Sequence, residues 1–388
     1  MRILHTSDWH IGKRIAGRER LEEQRAILSE IADLCESERI ELVLIAGDVF
    51  DTFLPSAEAE DLFYAAVKKI AAGKRAVVAI SGNHDDNVRL TAATALSEEQ
   101  GIYIFGNSGR VPRLSAAGSI RAADAGKSHI LFENERGERT FVHALPYPNE
   151  ARLKETKNAD ESYFDKMRRW MGEEERCNAQ GDPSVFLAHI FVAGGKVSDS
   201  EREIDLGGAR AVPLELLPRC DYAALGHLHR RQSFAGNVCY SGSIAQYAFD
   251  EAGLEKSVNV FCLDRGGVHD LRRIPLRAGK QLVRLQADGA ELAEELLRRY
   301  ENCYIELTLR LREPLTSAQV RGLKEANGGL VSLIPQVDEG LSSFAAAGRK
   351  QLSAGELFTE FYKSRFQSEP SQELKQLFLS AMEEAHEA

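Results

Sequence analysis

Seven residues of this 388-residue chain carry side chains suited to binding a first-row divalent metal: Asp8, His10, Asp48, Asn83, His189, His227 and His229. Imidazole together with carboxylate and amide oxygen suits an ion such as Mn²⁺ or Fe²⁺. The absence of cysteine from the set disfavours a closed structural zinc site. Asp8-x-His10 and His227-x-His229 each place two such groups on one face of an extended segment, because side chains alternate along a strand. Two ligands from such a pair can then reach the same ion. Seven groups are too many for a single octahedral ion that keeps positions open for water and substrate. Two ions about 3.5–4 Å apart sharing one carboxylate would use them all, and that pair is the clamp for displacement at a phosphoester.

The elements that must position these residues follow from hydrophobic periodicity. Arg2–Ser7 reads as a short strand, Glu19–Glu38 has helical spacing, Leu42–Ala46 is a buried run, Ala57–Ala71 is again helical and Val77–Ile80 is again apolar. Alternating strands and helices predict βαβ units and a largely parallel inner sheet, in which ligands bind beyond the carboxyl ends of the strands. Each of these strands runs straight into a polar cluster: Asp8-Trp9-His10, Gly47-Asp48, and Gly82-Asn83-His84-Asp85. Further on, His129–Glu133 and Thr140–Ala144 read as a hairpin-like pair, and Asn149–Arg176 as a long charged helix. Val185–His189 and Tyr222–Gly226 are short apolar runs ending in His-bearing loops, and Val238–Ser241 and Val258–Leu263 read as antiparallel edge or second-sheet strands. The fold class expected is α/β, a two-sheet sandwich flanked by helices over residues 1–278.

From about Gln281 the pattern changes to a compact βαβαβ unit: Leu282–Leu285, Ala290–Arg299, Tyr304–Leu311, Ser317–Ala326 and Leu330–Ile334. Residues 279–340 hold no cluster of ligand-type residues and read as a capping domain. Residues 341–388 read as a linker, Ala345–Ser353, followed by two amphipathic helices. One carries Leu357, Phe358, Phe361, Tyr362 and Phe366, the other Leu374, Leu377, Phe378 and Met382. An aromatic stripe at helical spacing is usually core. Here it follows a linker and closes no domain, so docking on another protein is the functional reading.

The stretches HTSDWHIGK, IAGDVFDT, SGNHD, DYAALGHLHR and the later Ser241–Ser243 and Phe249–Glu251 stand in the order typical of calcineurin-like metallophosphoesterases, which this chain resembles. Within that superfamily it is similar to nuclease subunits that act with an SbcC-like SMC ATPase. The likeness is strong over roughly residues 1–275 and agrees in layout beyond. It implies that Asp8, His10 and His229 hold one ion, that Asp48 bridges, and that Asn83, His189 and His227 hold the other. His189, in Ala188-His189-Ile190-Phe191, departs from the pattern in lacking a preceding glycine. His84 is expected to bind no metal. Beside the reacting phosphate its imidazole would stabilise charge or protonate the leaving oxygen, with Asp85 fixing its other nitrogen. The resemblance further implies two divalent ions, with Mn²⁺ favoured, and hydrolysis of DNA phosphodiesters. That means double-strand exonuclease and single-strand or hairpin endonuclease activity in repair, recombination and replication. It also implies a homodimer within a heterotetramer. The alternative on the same metal core is a phosphoesterase for phosphomonoesters or cyclic nucleotides. A scaffold that had lost its chemistry would lack ligands, and none is missing.

Other residues take plainer readings. His5, His129 and His143 read as core histidines, Trp9 as packing beside the site, and Asp51 as a turn or helix-cap residue. Lys13, Arg14 and Arg18 follow the His10 loop and are candidates for contact with a phosphate backbone, with Arg230 and Arg231 as weaker ones. The chain carries 49 basic and 59 acidic side chains, a net charge of −10, so bulk charge does not drive nucleic-acid binding. Six scattered cysteines without a CxxC pair fit a reducing cytoplasm, and no apolar stretch approaches the roughly 18 residues of a membrane span.

Overall fold

The computed structural model describes residues 1–107, 109–148, 162–201, 211–234 and 236–337, with residues 358, 359, 362, 363, 369–372, 374–376 and 378 of the tail. In chain order the elements are β1 (Arg2–Thr6), α1 (Leu21–Ser37), β2 (Leu42–Ile45), α2 (Ala57–Ala71), β3 (Ala76–Ile80), α3 (Asn87–Leu90), α4 (Thr94–Glu98) and β4 (Ile102–Phe105). Next come β5 (Ala116–Ala117), β6 (Ile120–Gly126), β7 (His129–Asn134), β8 (Arg139–Leu145), α5 (Tyr163–Cys177), β9 (Ser184–His189), β10 (Tyr222–Gly226), β11 (Gln232–Phe234) and β12 (Val238–Tyr240). The last are β13 (Ser257–Asp264), β14 (Gly267–Pro275), β15 (Gln281–Asp288), α6 (Ala290–Leu297), β16 (Cys303–Leu311), α7 (Ser317–Ala326) and β17 (Leu330–Val337).

The first sheet has the order β14-β13-β1-β2-β3-β4, and β1 to β4 run parallel. The second has the order β11-β12-β10-β9-β8-β7-β6-β5, with β8, β9, β10 and β12 parallel. Strands β2, β3 and β4 are buried along their whole length, as continuous Val/Ile/Leu runs in a covered parallel sheet should be. One face of the first sheet, with Leu4, Val43, Ile45 and Val77, packs on the apolar stripes of α1 and α2, among them Ile27, Ile31, Phe63, Val67 and Ile70. The other, with Ile3, Leu44, Val78 and Ile80, meets Ile130, Phe132, Val142, Leu187 and Ala224 of the second sheet. The Ser56 hydroxyl accepts from the Ala59 N–H and caps α2.

Two expectations need correction. Val258–Leu263 is neither an edge nor a second-sheet strand: as β13 it lies inside the first sheet, antiparallel to β1, with β14 outside it. Both of its faces are covered, Val258 and Val260 by the helix-side core and Phe261 and Leu263 by the core between the sheets. These two faces are those of simple strand alternation, and the register against β14 shifts between Val260 and Cys262. Val238–Ser241 does join the second sheet, but β12 runs parallel to β10 and antiparallel only to the edge strand β11. The charged helix is described from Tyr163, with the Ser162 side chain accepting from Asp165 N at its start, and residues 149–161 lie outside the described residues.

Strands β15, β16 and β17 form a third sheet in that order. The chain divides into two compact units. The first holds Met1–Leu285, Tyr300–Glu306 and Gly329–Ser332; the second holds Gln286–Arg299, Leu307–Gly328 and Leu333–Ala388. In the second, α7 opens with a capping box between Thr316 and Gln319. The linker Ala345–Ser353 and the tail residues Leu357, Phe361, Phe366, Leu377 and Met382 lie outside the described residues, whereas Phe358 stacks on Phe378 at 4.3 Å. No described helix is long and apolar enough to cross a membrane, and all six cysteines are free thiols.

Candidate metal centre

The seven residues converge at the carboxyl ends of five parallel strands. Asp8 and His10 follow β1, Asp48 follows β2, Asn83 follows β3, His189 ends β9, and His227 and His229 follow β10. Backbone bonds sew the first two loops together, Asp8 N to Gly47 O at 3.0 Å and His10 N to Asp48 O at 2.9 Å. Asp8, His10, Asp48 and His227 all sit at positive φ, 53°, 43°, 47° and 107°. Each such residue costs on the order of 1–3 kcal/mol and persists only where its surroundings fix it. Close approach of the backbone explains the glycines beside them. A Cβ on Gly82 would lie 2.0 Å from Asp48 Oδ1, and one on Gly226 would lie 1.8 Å from Ala46 O.

The facing atoms are ligand atoms. His10 Nε2 and His229 Nε2 are 3.0 Å apart. Asp48 Oδ2 lies 3.5 Å from His10 Nε2 and 3.4 Å from His189 Nε2, so one oxygen stands between two imidazoles. Asn83 Oδ1 lies 2.9 Å from His189 Nε2 and 3.0 Å from His227 Nδ1. Three groups, Asp8 with His10 and His229, Asp8 with Asp48 and His189, and His10 with Asp48 and His84, each bring their ligand atoms within 4.8 Å of one another. All are buried. Two buried carboxylates among imidazole nitrogens fit a divalent cation far better than they fit each other.

Protonation follows the same logic. Burial pushes His10 and His227 down to about 3, which leaves their lone pairs free for a metal. Burial also works against a charge on His189, yet the Asp48 and Asp8 carboxylates outweigh it and hold this group up at about 9. Burial raises Asp8, while on Asp48 the burial penalty is overridden by His189 and other imidazoles and the pKa falls.

His189 Nδ1 donates to Ala46 O at 2.8 Å, which fixes the tautomer and aims Nε2 inward. For His229 the arrangement that satisfies every partner runs from Nδ1–H to Ser200 Oγ at 2.5 Å, and from that hydroxyl to the Glu251 carboxylate. Glu251 in turn pairs with Lys256 Nζ at 2.5 Å, and Lys256 donates to His229 O at 2.9 Å. Glu201 accepts from the His229 N–H at 2.7 Å. Ser200, Glu201 and Lys256 were not among the sequence candidates. Of this network only Glu251 stands in a family motif, as the last residue of Phe249-Asp250-Glu251.

Asp85 does not hold the His84 ring, contrary to expectation. Its carboxylate accepts from three backbone N–H groups, Val49 at 3.1 Å, Phe50 at 2.8 Å and Gly82 at 2.8 Å, so it staples the β3 loop to the β2 loop. Burial and Asp48 push it up to about 6 despite those donors. The partner of His84 Nδ1 is Asp51 O at 2.7 Å, while the His84 N–H donates to Asp48 Oδ1 at 2.8 Å. Asp51 is therefore no helix cap. Its Oδ1 lies 2.8 Å from Lys13 Nζ and 3.3 Å from His10 Nδ1, and the helix that follows is capped by Ser56.

Trp9 is buried packing: its Nε1 donates to Thr6 Oγ1 at 3.0 Å and its ring meets Phe63 edge-on. His5 is buried against Tyr222, His143 against Phe186, and His129 stacks on Phe141. Of the basic candidates, Lys13 pairs with Asp51, Arg14 with Glu19 at 2.5 Å, and Arg18 donates to Leu330 O at 3.1 Å.

Comparison with known proteins places this geometry. The model of the calcineurin-like phosphoesterase family matches residues 1–231, a span that contains all seven residues. The SbcD subunit of the SbcCD nuclease of Bacillus subtilis is 36% identical over 395 residues, covering 98% of this chain and 97% of that protein. Its namesake from Rhodobacter capsulatus is 34% identical, covering 81% and 82%, and that from Staphylococcus epidermidis is 27% identical, covering 94% and 93%. With a match over more than half its length and relatives aligned nearly end to end, the chain belongs to the calcineurin-like phosphoesterases and, within them, to the family of SbcD nuclease subunits.

Proposed function

We propose that this chain is a metal-dependent nuclease subunit that hydrolyses DNA phosphodiester bonds, as double-strand exonuclease and single-strand or hairpin endonuclease. The observation that carries the metal chemistry is the placing of Asp48 Oδ2, nearly equidistant from His10 Nε2 and His189 Nε2. An oxygen so placed suits a bridge between two cations. Asp8, His10 and His229 would hold one ion and Asn83, His189 and His227 the other, with Mn²⁺ the favoured metal. When bound, such a pair polarises the phosphoryl group and supplies an activated water.

The remaining work belongs to the chain. The His84 ring packs edge-on to His10 with 4.7 Å between centroids, and its Nδ1 is anchored on Asp51 O. With Nδ1–H donated to Asp51 O, the doubly protonated ring would present Nε2–H to the phosphate or to the departing oxygen. Asp85 keeps the two loops in register so that Asp48 and Asn83 face the same point. Lys13, Arg14 and Arg18 are proposed contacts to the phosphate backbone.

Residues 1–278 carry the chemistry in this reading, residues 279–340 cap it, and 341–388 dock on an SbcC-like SMC ATPase, with the chain as a homodimer in a heterotetramer. The compartment proposed is the cytoplasm, where free thiols stay reduced. The test incubates the full chain with Mn²⁺ and labelled hairpin DNA, nitrophenyl phosphate or bis(nitrophenyl) phosphate. Cleavage of DNA and of the bis-ester supports the proposal. Hydrolysis of the monoester alone would replace it with a phosphomonoesterase.

A further inference from the structure

A cleft of about 210 Å³ opens beside His229, and its wall carries Lys196, Arg230, Arg231, Lys256 and Arg273 against a single carboxylate, Glu255. Such a concentration of cations runs against the acidic balance of the whole chain. Most of these charges are already neutralised. Arg230 pairs with Asp250 at 2.9 Å, Lys256 with Glu251 at 2.5 Å, and Arg273 with Glu255. Two are not: among the described residues neither Lys196 nor Arg231 has a carboxylate partner.

Both are nevertheless held in place, and by neutral amides. Arg231 Nε donates to Asn259 Oδ1 at 3.1 Å, and Asn259, itself fully buried, donates to Tyr222 OH at 3.2 Å. Among the described residues the terminal nitrogens of the guanidinium have no hydrogen-bond partner, and the Nε bond orients the fork. Gln232 clasps the Lys196 backbone from both sides, its Oε1 accepting from Lys196 N at 2.8 Å and its Nε2 donating to Lys196 O at 2.9 Å. For Arg231 the amide orients the guanidinium without cancelling its charge, as an oxyanion site requires, while for Lys196 it sets the backbone from which an exposed ammonium reaches. The cleft shares a wall with the metal centre, because His229 lines it and Lys256 Nζ holds His229 O at 2.9 Å.

We propose that this cleft binds a backbone phosphate next to the one being cleaved, with Arg231 and Lys196 as its ligands. The inference rests on the nuclease reading above. It separates Arg231 from Arg230, which the sequence alone could not do. It also places the passing strand on the His229 side of the centre, so that a substrate with one phosphate fills the metals and leaves the cleft empty.

The test uses the full chain with Mn²⁺ and two substrates, a single-stranded oligonucleotide and bis(nitrophenyl) phosphate. Arg231→Gln and Lys196→Ala should each raise KM for the oligonucleotide about tenfold, as expected for loss of a charge-assisted contact, with kcat/KM on the bis-ester unchanged. Each should also lower the slope of log KM against log salt by about 0.7, one contact on a single strand. Arg231→Lys should restore part of the loss. A set of oligonucleotides with one phosphate at a time replaced by a neutral methylphosphonate supplies the direct test. At one position neutralisation should weaken the wild type and leave Arg231→Gln no worse, because both changes remove the same contact. Additive losses at every position overturn the proposal, as does an equal fall on both substrates, which would mean that Arg231 only supports the metal loop. If the wild type hydrolyses the bis-ester but no oligonucleotide, the nuclease reading falls and takes this inference with it. If it cleaves DNA and the variants match it, the inference alone falls.

Discussion

Replacing Gly82 by alanine tests whether backbone packing, rather than ligand identity alone, sets the position of the shared carboxylate. The added Cβ would stand 2.0 Å from Asp48 Oδ1 and 2.2 Å from Asp48 N. Ordinary contact begins near 3.4 Å, so from 2.0 Å the two groups must separate by about 1.4 Å. Neither partner gives cheaply. Asp48 is pinned by the His84 N–H at 2.8 Å, and the Gly82 N–H is held by Asp85 at 2.8 Å. A misplacement of about 1 Å at a reacting centre costs about 100-fold in rate, so kcat on bis(nitrophenyl) phosphate should fall by at least about 100-fold. The overpacking itself should cost about 1–3 kcal/mol of stability. Steady-state kinetics with a Mn²⁺ titration reads the first effect and urea unfolding the second. Gly73→Ala is the control: its φ is +63° but nothing lies within 4 Å, so it carries backbone strain without touching the centre. If Gly82→Ala kept kcat within about threefold of wild type, the positioning argument would be wrong.

Asp51→Asn removes the negative charge 3.3 Å from His10 Nδ1 and 2.8 Å from Lys13 Nζ. Outer partners of metal ligands typically contribute about 10–100-fold, so Mn²⁺ affinity by calorimetry should drop by at least about tenfold, and an unchanged affinity would return Asp51 to a passive turn. Glu251→Gln strips the buried Lys256 ammonium of its counter-charge, a change that costs about 3–5 kcal/mol when a buried pair is broken. Urea denaturation should show it, and a loss under about 1 kcal/mol would count against the chain from Glu251 to His229. Metal loading should also release a proton. His189, held up at about 9, is charged in the metal-free protein at pH 7.5, and an imidazole must be neutral to ligate. Mn²⁺ affinity should therefore climb about tenfold per pH unit between roughly pH 7 and 9 and level off above. Calorimetry in two buffers of different ionisation enthalpy counts the proton, and a count near zero refutes the assignment.

The strands that carry the centre were legible because β1, β2, β3, β9 and β10 are short apolar runs that stop abruptly at Asp, Asn or His. Type and spacing alone then identified the seven converging side chains. What stayed hidden depends on direction rather than on identity. Asp85 looks like the partner of its neighbour His84, but consecutive side chains in this turn diverge, and its oxygens point back to the N–H groups of Val49, Phe50 and Gly82. Asp51 resembles any turn aspartate until the fold brings it beside His10. Ser200 and Glu251 are 51 residues apart in the chain, and neither residue type announces that they meet beside His229. The sheet membership of Val258–Leu263 was equally closed to periodicity, since a strand covered on both faces looks the same in either sheet.

The pairing of β1 with β13 has a consequence for biogenesis. Leu4 sits opposite Val260, so about 250 residues must leave the ribosome before the strand that leads into Asp8 and His10 gains its antiparallel neighbour. At about 5–20 residues per second that is a wait of roughly 13–50 s. For much of it Asp8 and His10 have the Asp48 loop beside them but lack His229, so the cage that would select their ion is incomplete. Correct loading thus becomes a late step, after synthesis has passed β13, and slow-translating cells or excess copper and zinc would meet these half-built loops first.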